Sequence, residues 1–437
     1  MESARPLIQK VMDDVRRDGD EALIRYTKRF DKVKNPKPIR VSKAEIRKAY
    51  KEVHRLEPTL IPWMKKSIDH IMAYHEGEIG QLKNGLKRWE RKFKHPSFSG
   101  SARMNIGQFK TPINRVGIYV PGGHATLFST ALMGITPATV AGVPEIVVAS
   151  PPSRGGDIDP KIIVAADLAG ATLIVRAGGA QAIAALAFGT KLVPKVNKIV
   201  GPGNIYVAAA KGYVASSGLC AIDFLAGPSE IVVVADDSVD MRWAGRDMIS
   251  QAEHDPDACA ILVTNSKKVA LGVREEIQNI INEEIEKGGE TGRMAEIAKA
   301  SLSNFGGIIL TKNLEEAISF VNEFAPEHVE IMTRHPKNWA KKVVNAGAIF
   351  IGDYSPVAIG DYACPNHILP TGGAAKFYSG INLDTFMKKP STSRVPRELM
   401  PAFNALVGAL SKAEGLYNQH GLSVKARLEK KQPAYAQ

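Results

Sequence analysis

Arg115-Val116-Gly117-Ile118-Tyr119-Val120-Pro121-Gly122-Gly123 decides the fold. Val116 to Val120 is a short apolar run of the length and composition of a buried strand. Pro121-Gly122-Gly123 is a tight turn that leaves backbone N–H groups free. Ser129 to Val143 then reads as a helix. Strand-like runs recur at Ile146–Ala149, Leu173–Val175 and Lys198–Val200, with helical patterns between them near 160–169, 180–188 and 204–215. Strand and helix alternating through short loops imply a parallel sheet covered on both faces.

A second block repeats the plan. Its strands are read at Ile231–Val234, Ala260–Val263, Gly307–Leu310, Val329–Met332 and Ala348–Ile351, with helices over 238–252, 266–287, 292–302, 313–324 and 336–345. The fold expected is α/β: two incomplete Rossmann-like parallel-sheet domains with helical N- and C-terminal extensions. Residues 1–40 form a helical lead-in, 41–114 with 230–373 one α/β domain, 115–229 the other, and 374–437 a helical tail. Ser42 and Glu45 have the form of a capping box, and Pro58 and Pro62 interrupt the helical stretch 42–80. Residues 83–104 are basic, poor in periodic apolar positions and read as a loop.

The bulk numbers narrow the function. The 437 residues carry 44% hydrophobic and 23% charged side chains, a globular balance too long for a single core. No apolar run is long enough to span a bilayer, and the N-terminus lacks a signal core, so a cytoplasmic protein is expected. The net charge of +12 invites nucleic acid, but it concentrates in Lys83–Lys94 and near Lys425, Arg427, Lys430 and Lys431, without an aromatic RNA-binding signature or zinc finger. It reads as solvated surface, and no nucleic acid and no membrane are expected as partners. Cys220, Cys259 and Cys364 are read as reduced.

Several polar clusters can carry chemistry. Ser250-Gln251-Ala252-Glu253-His254-Asp255-Pro256 closes a helical pattern, and Gln251 and His254, three apart, share one helical face. An amide oxygen and an imidazole at a helix mouth make half of a metal site; a solvated helix end is the plain alternative. Glu327-His328, at the start of a strand, offers an acid–base pair. Gly360 to His367 is read as a polar loop in which Asp361 and His367 can ligate or bind substrate. Ser229, Glu414 and His420 say little alone. Gly178-Gly179-Ala180-Gln181 and Gly201-Pro202-Gly203-Asn204 each open a helix after a strand, where glycines expose N–H groups to a phosphate; ordinary strand-to-helix turns look the same. The donors are N and O without thiolate, which suits Zn²⁺, with Mn²⁺ or Co²⁺ as substitutes.

Taken together, RVGIYVPGG (115–123), GGAQAIAALAFGT (178–190), GPGNIYV (201–207), AGPSEIVVVAD (226–236), SQAEHDPDA (250–258), APEHVE (325–330), NAGAIFIGDYSP (345–356) and GDYACPNHILPTGG (360–373) resemble the histidinol dehydrogenase family, in the family's order. The resemblance implies a Zn²⁺-dependent homodimer with shared active sites, oxidising L-histidinol to L-histidine through L-histidinaldehyde with two NAD⁺. It implies Gln251, His254, Asp361 and His420 as metal ligands and Glu327 and His328 as the catalytic pair. Ser229, His367 and Glu414 would join Gln251, His254, His328, Asp361 and His420 around the substrate, with Tyr119, Gln181 and Asn204 at NAD⁺. The chain departs from the family at His124, in the long segment 83–104, and in the spacings from Asp361 to His367 and from Glu414 to His420. A relative oxidising another polar alcohol, such as a sulfonated diol, is the alternative.

Overall fold

The computed structural model describes residues 4–80, 89–94, 96, 100–122, 126–153, 155–416 and 418–429. His124, the last glycine of the 121–123 turn, and Lys83–Lys87, Lys430 and Lys431 of the basic stretches lie outside the described residues. The chain forms two units, Met1–Gly77 with Pro112–Phe386, and Glu78–Thr111 with Met387–Gln437.

The first unit opens with helices α1 (Arg5–Asp18), α2 (Asp20–Phe30), α3 (Lys43–Leu56) and α4 (Leu60–Gly80), the last running past the unit's edge at Gly77. Ser42 caps α3 as its spacing predicts: the side chain accepts from the Glu45 N–H, and the Glu45 carboxylate accepts from the Ser42 N–H at 2.8 Å. Residues read as a loop in the basic segment instead form strand β1 (Trp89–Phe93), antiparallel to β2 (Met104–Gln108) in the second unit. Every residue of β1 is exposed, so no burial pattern marks it in the sequence. A two-residue strand, β3 (Thr111–Pro112), follows.

Two five-stranded, all-parallel sheets then form, as the alternating pattern predicts. The first comprises β4 (Arg115–Tyr119), β5 (Glu145–Ser150), β6 (Leu173–Arg176), β7 (Lys198–Val200) and β8 (Ala221–Ile222), in the order β6-β5-β4-β7-β8. Helices α5 (Phe128–Val140), α6 (Pro160–Ala169), α7 (Gly179–Phe188) and α8 (Ile205–Ser216) connect its strands, and α1 and α2 pack with α7 into one apolar layer. The second comprises β9 (Glu230–Ala235), β10 (Cys259–Thr264), β11 (Gly307–Leu310), β12 (His328–Met332) and β13 (Ala348–Ile351), in the order β11-β10-β9-β12-β13. Both sheets thus share one strand order.

Val232, Val234, Val329 and Ile331 face α12 (Leu314–Phe324) and α13 (Pro336–Ala340). Ile231, Val233 and Met332 face α9 (Met241–Ala252), α10 (Lys267–Lys287) and Val357 of α14 (Val357–Tyr362), with α11 (Gly289–Phe305) beyond. Side chains alternate along β12, so His328 and Glu330 share the α9/α14 face with Met332. Each fully buried Val or Ile in these layers contributes about 1.5–3 kcal/mol.

After Phe386 the chain returns to the second unit. The tail expected to be helical from 374 holds at this point a 3₁₀ turn, Leu383–Phe386, followed by the two-residue β14 (Met387–Lys388). β15 (Ser391–Arg394) pairs antiparallel with β2, and α15 (Met400–Ala413) and α16 (His420–Glu429) follow. Among the described residues no helix is long and apolar enough to cross a membrane.

Substituting Ser42→Ala removes one half of the α3 cap. Urea denaturation is expected to show a loss of about 1 kcal/mol.

Candidate active site

Glu327 and His328 stand at the amino end of one strand, beside the start of its neighbour. Glu327 precedes β12 and His328 begins it; Glu230 begins β9 alongside. The side chains of Glu327 and His328 are 8% and 5% exposed. The Glu230 N–H donates to Glu327 Oε2 at 2.9 Å, and the Glu327 N–H donates to Glu230 Oε2 at 3.3 Å. Glu230 Oε1 also accepts from the Gly372 N–H at 3.0 Å. Gly347 is packed so closely on the Glu327 carbonyl that an added Cβ would stand 2.6 Å from that oxygen. The dyad is therefore held by backbone on several sides.

His328 Nδ1 lies 3.0 Å from the Glu230 carbonyl oxygen. A carbonyl can only accept, so Nδ1 carries the proton and Nε2 the lone pair. Burial pulls the His328 pKa down to about 4; the Asp361 charge and the bond to Glu230 oppose this, and His254 and His367 add to it. The imidazole is neutral at pH 7. Burial pushes the Glu327 carboxyl well above the usual carboxylate range, aided by the charges of Glu230 and Asp361 and opposed by the Glu230 N–H. Burial also raises Glu230.

Two more histidines repeat the arrangement. His254 Nδ1 lies 2.9 Å from the Ser250 carbonyl and His367 Nδ1 lies 3.1 Å from the Asp361 carbonyl. Each ring thus commits Nδ1 to a carbonyl and leaves Nε2 as its other nitrogen. Burial lowers the His367 pKa, against the nearby Asp361 charge. His254 and Asp361 both lie within electrostatic reach of His328 and His367. Gln251, on the last turn of α9, is 2% exposed, whereas His254 is exposed just beyond the helix end. Asp361 sits on the short helix α14, where a loop is expected from sequence. Glu330 accepts from the Val357 N–H at 2.5 Å, which ties β12 to the first turn of α14. Ser229 is half-buried immediately before Glu230.

Among the described residues no group of three His, Cys, Asp or Glu stands as a metal cluster. His254 and Asp361 supply two such donors in this neighbourhood, and the Gln251 amide oxygen is of another type. The His254 ring, held at Nδ1 by a backbone carbonyl, the Asp361 carboxylate and the Gln251 amide are N and O donors of the type that an open, catalytic cation site uses. Glu414 and His420 are exposed in the second unit, at the end of α15 and the start of α16.

The first sheet gathers the other expected residues at its carboxyl ends. The Gly179 N–H donates to the Tyr119 hydroxyl at 3.0 Å. Gln181 is 1% exposed and its Nε2 is sealed without a partner. Asn204 is exposed and caps α8, accepting from the Tyr206 and Val207 N–H groups. Gly122 and Gly178 both lie against Pro151, where a Cβ would stand 2.5 and 2.4 Å away, so three loops converge at one point. That point lies beside the junction where the strand order reverses, the usual place for a ligand in such sheets. Sequence reasoning passed over Glu230, although it stands in the quoted AGPSE segment.

Paired open parallel sheets with a neutral buried imidazole and nearby N and O donors mark the chain as an α/β protein with a candidate site of enzymatic type. The histidinol dehydrogenase family model matches residues 1–428. A histidinol dehydrogenase of Methanococcus maripaludis is 43% identical over 424 residues, covering 97% of this chain and 93% of the relative. One from Leptospira interrogans is 40% identical over 432 residues, covering 98% and 94%. The crystal structure of histidinol dehydrogenase from Elizabethkingia anophelis superposes with a TM-score of 0.87 at 35% identity, covering 98% of this chain and 92% of that one. The chain belongs to the histidinol dehydrogenase family, NAD-dependent oxidoreductases of histidine biosynthesis.

His328 binds fewer protons folded than unfolded between pH 6.5 and about 4, so its contribution to stability is lost as pH falls through that window. In chelator, the stability of the wild type relative to His328→Gln is expected to fall by roughly 3 kcal/mol from pH 7 to pH 4, measured by urea denaturation.

Proposed function

We propose that this chain oxidises L-histidinol to L-histidine through L-histidinaldehyde, with two NAD⁺ and one Zn²⁺ per subunit. The observation that carries the reading is the His328 ring. It is neutral, buried, locked with Nδ1–H on the Glu230 carbonyl, and presents Nε2 as a base. In the first oxidation His328 Nε2 takes the alcohol proton while hydride leaves the carbinol carbon for the nicotinamide. In the second, Glu327 takes a proton from the water that adds to the aldehyde, and hydride leaves the hydrated carbon for the second NAD⁺ to give the carboxylate. Burial is the main cause that raises the Glu327 pKa and the Asp361 charge adds to it, so a cation held at Asp361 would work against that rise and favour the basic carboxylate.

Gln251, His254 and Asp361 would hold Zn²⁺, with His420 as a fourth ligand. When bound, the ion supplies charge that orients and polarises the substrate. Ser229, His367 and Glu414 would contact histidinol, and His367 offers its own Nε2. Tyr119, Gln181 and Asn204, all within 115–229, would bind NAD⁺. We further propose a homodimer in which the segment bearing Glu414 and His420 completes the site of the second copy, and a cytoplasmic setting. The homodimer with its shared site rests on the family resemblance.

Purified protein is expected to form NADH with L-histidinol and to contain zinc. Turnover of another polar alcohol, such as a sulfonated diol, with none of histidinol would overturn the substrate. His328→Asn is expected to lower kcat by about 10²-fold or more with unchanged metal content. Asp361→Ala and His254→Ala are expected to lower bound zinc by elemental analysis; full occupancy in both would remove these residues as ligands.

A further inference from the structure

We infer that Lys211 and Asp223 are positioning residues for the dinucleotide, acting through the backbone of Gly201; this rests on the NAD⁺ site proposed above. Their side chains are 2% and 1% exposed and form a buried ion pair. Between them they satisfy both polar groups of one residue. Lys211 Nζ donates to the Gly201 carbonyl at 2.9 Å, and the Gly201 N–H donates to Asp223 Oδ2 at 2.8 Å. The ammonium also lies 5.9 Å from the Phe224 ring centroid.

Gly201 is where the first sheet turns into α8. Its φ of +120° and its approach to Tyr119, whose carbonyl oxygen would stand 2.2 Å from an added Cβ, admit only glycine. Backbone in that conformation must be held from outside. Gly201 rests on Tyr119, the Tyr119 hydroxyl accepts from the Gly179 N–H, and Gly179 lies two residues before Gln181. Asn204 follows Gly201 by three residues. A single clamp therefore sets the loop that registers Tyr119, Gln181 and Asn204 against one another. Neither side chain needs to touch the cofactor. The sequence carries a trace of this: Lys211 is a lone charge in Ala208-Ala209-Ala210-Lys211-Gly212-Tyr213-Val214.

The proposal separates from a purely structural role because burying an ion pair adds little net stability, while removing one partner is costly. Lys211→Met and Asp223→Val singly are expected to lower Tm sharply, and K211M/D223V to recover most of that loss. NADH affinity, followed by ligand fluorescence, is expected to stay weakened about tenfold or more in the recovered double variant, because Gly201 still lacks both partners. Bound zinc is expected to stay at the wild-type level. If K211M/D223V does not fold, K211M/D223N keeps an acceptor for the Gly201 N–H, and a loss of about threefold is expected. NADH affinity equal to wild type in a folded double variant would overturn the proposal alone. A wild-type chain that binds no NADH would overturn the proposed cofactor site and this inference with it.

Discussion

The bond from His328 Nδ1–H to the Glu230 carbonyl is the constraint on which the site depends. It joins the first residues of two neighbouring parallel strands, so it cannot shift without disturbing the sheet. It fixes a tautomer, and the tautomer fixes the chemistry: with Nδ1 committed, Nε2 is the only basic atom of the ring. The reciprocal bonds between Glu230 and Glu327 orient the neighbouring carboxyl by the same means. The repetition of the arrangement at His254 and His367 makes it a property of the neighbourhood, with three rings each committed at Nδ1 to a backbone carbonyl. Burial then does the electrostatic work, since it penalises His⁺ and carboxylate alike and leaves a neutral imidazole beside a carboxyl whose pKa is raised.

The two sheets share a strand order but use opposite edges. In the first, the expected nucleotide residues follow the carboxyl ends of β4, β6 and β7, as open parallel sheets commonly arrange a ligand. In the second, Ser229, Glu327 and His328 lie at or just before the amino ends of β9 and β12, and Gln251 and His254 lie where α9 returns before β10. The duplicated architecture thus carries backbone-rich turns at one edge and titratable side chains at the other.

Much of this was legible in the sequence, for reasons that differ by element. The parallel strands were readable because burial on both faces leaves unbroken apolar runs such as Ile231–Val234. The Ser42–Glu45 cap was readable because its partners are three residues apart. β1 was missed because a fully exposed strand carries no pattern and takes its hydrogen bonds from β2, beyond its own local sequence. Asp361 was placed on a loop because α14 is a single short turn of helix, stabilised by Glu330 from another strand. Glu230 and the Lys211–Asp223 clamp were missed because their meaning lies in which backbone atoms they meet. Adjacency of Glu327 and His328 is visible in sequence; the carbonyl that makes His328 a base is not.

The most direct measurement is ¹⁵N NMR of the histidine side chains across pH, with the His328 resonance assigned by its loss in His328→Gln. The account predicts a neutral ring at pH 7 with a protonated Nδ1 and a bare Nε2, acquiring its second proton only near pH 4. An imidazolium at pH 7, or a neutral ring protonated on Nε2, would contradict it.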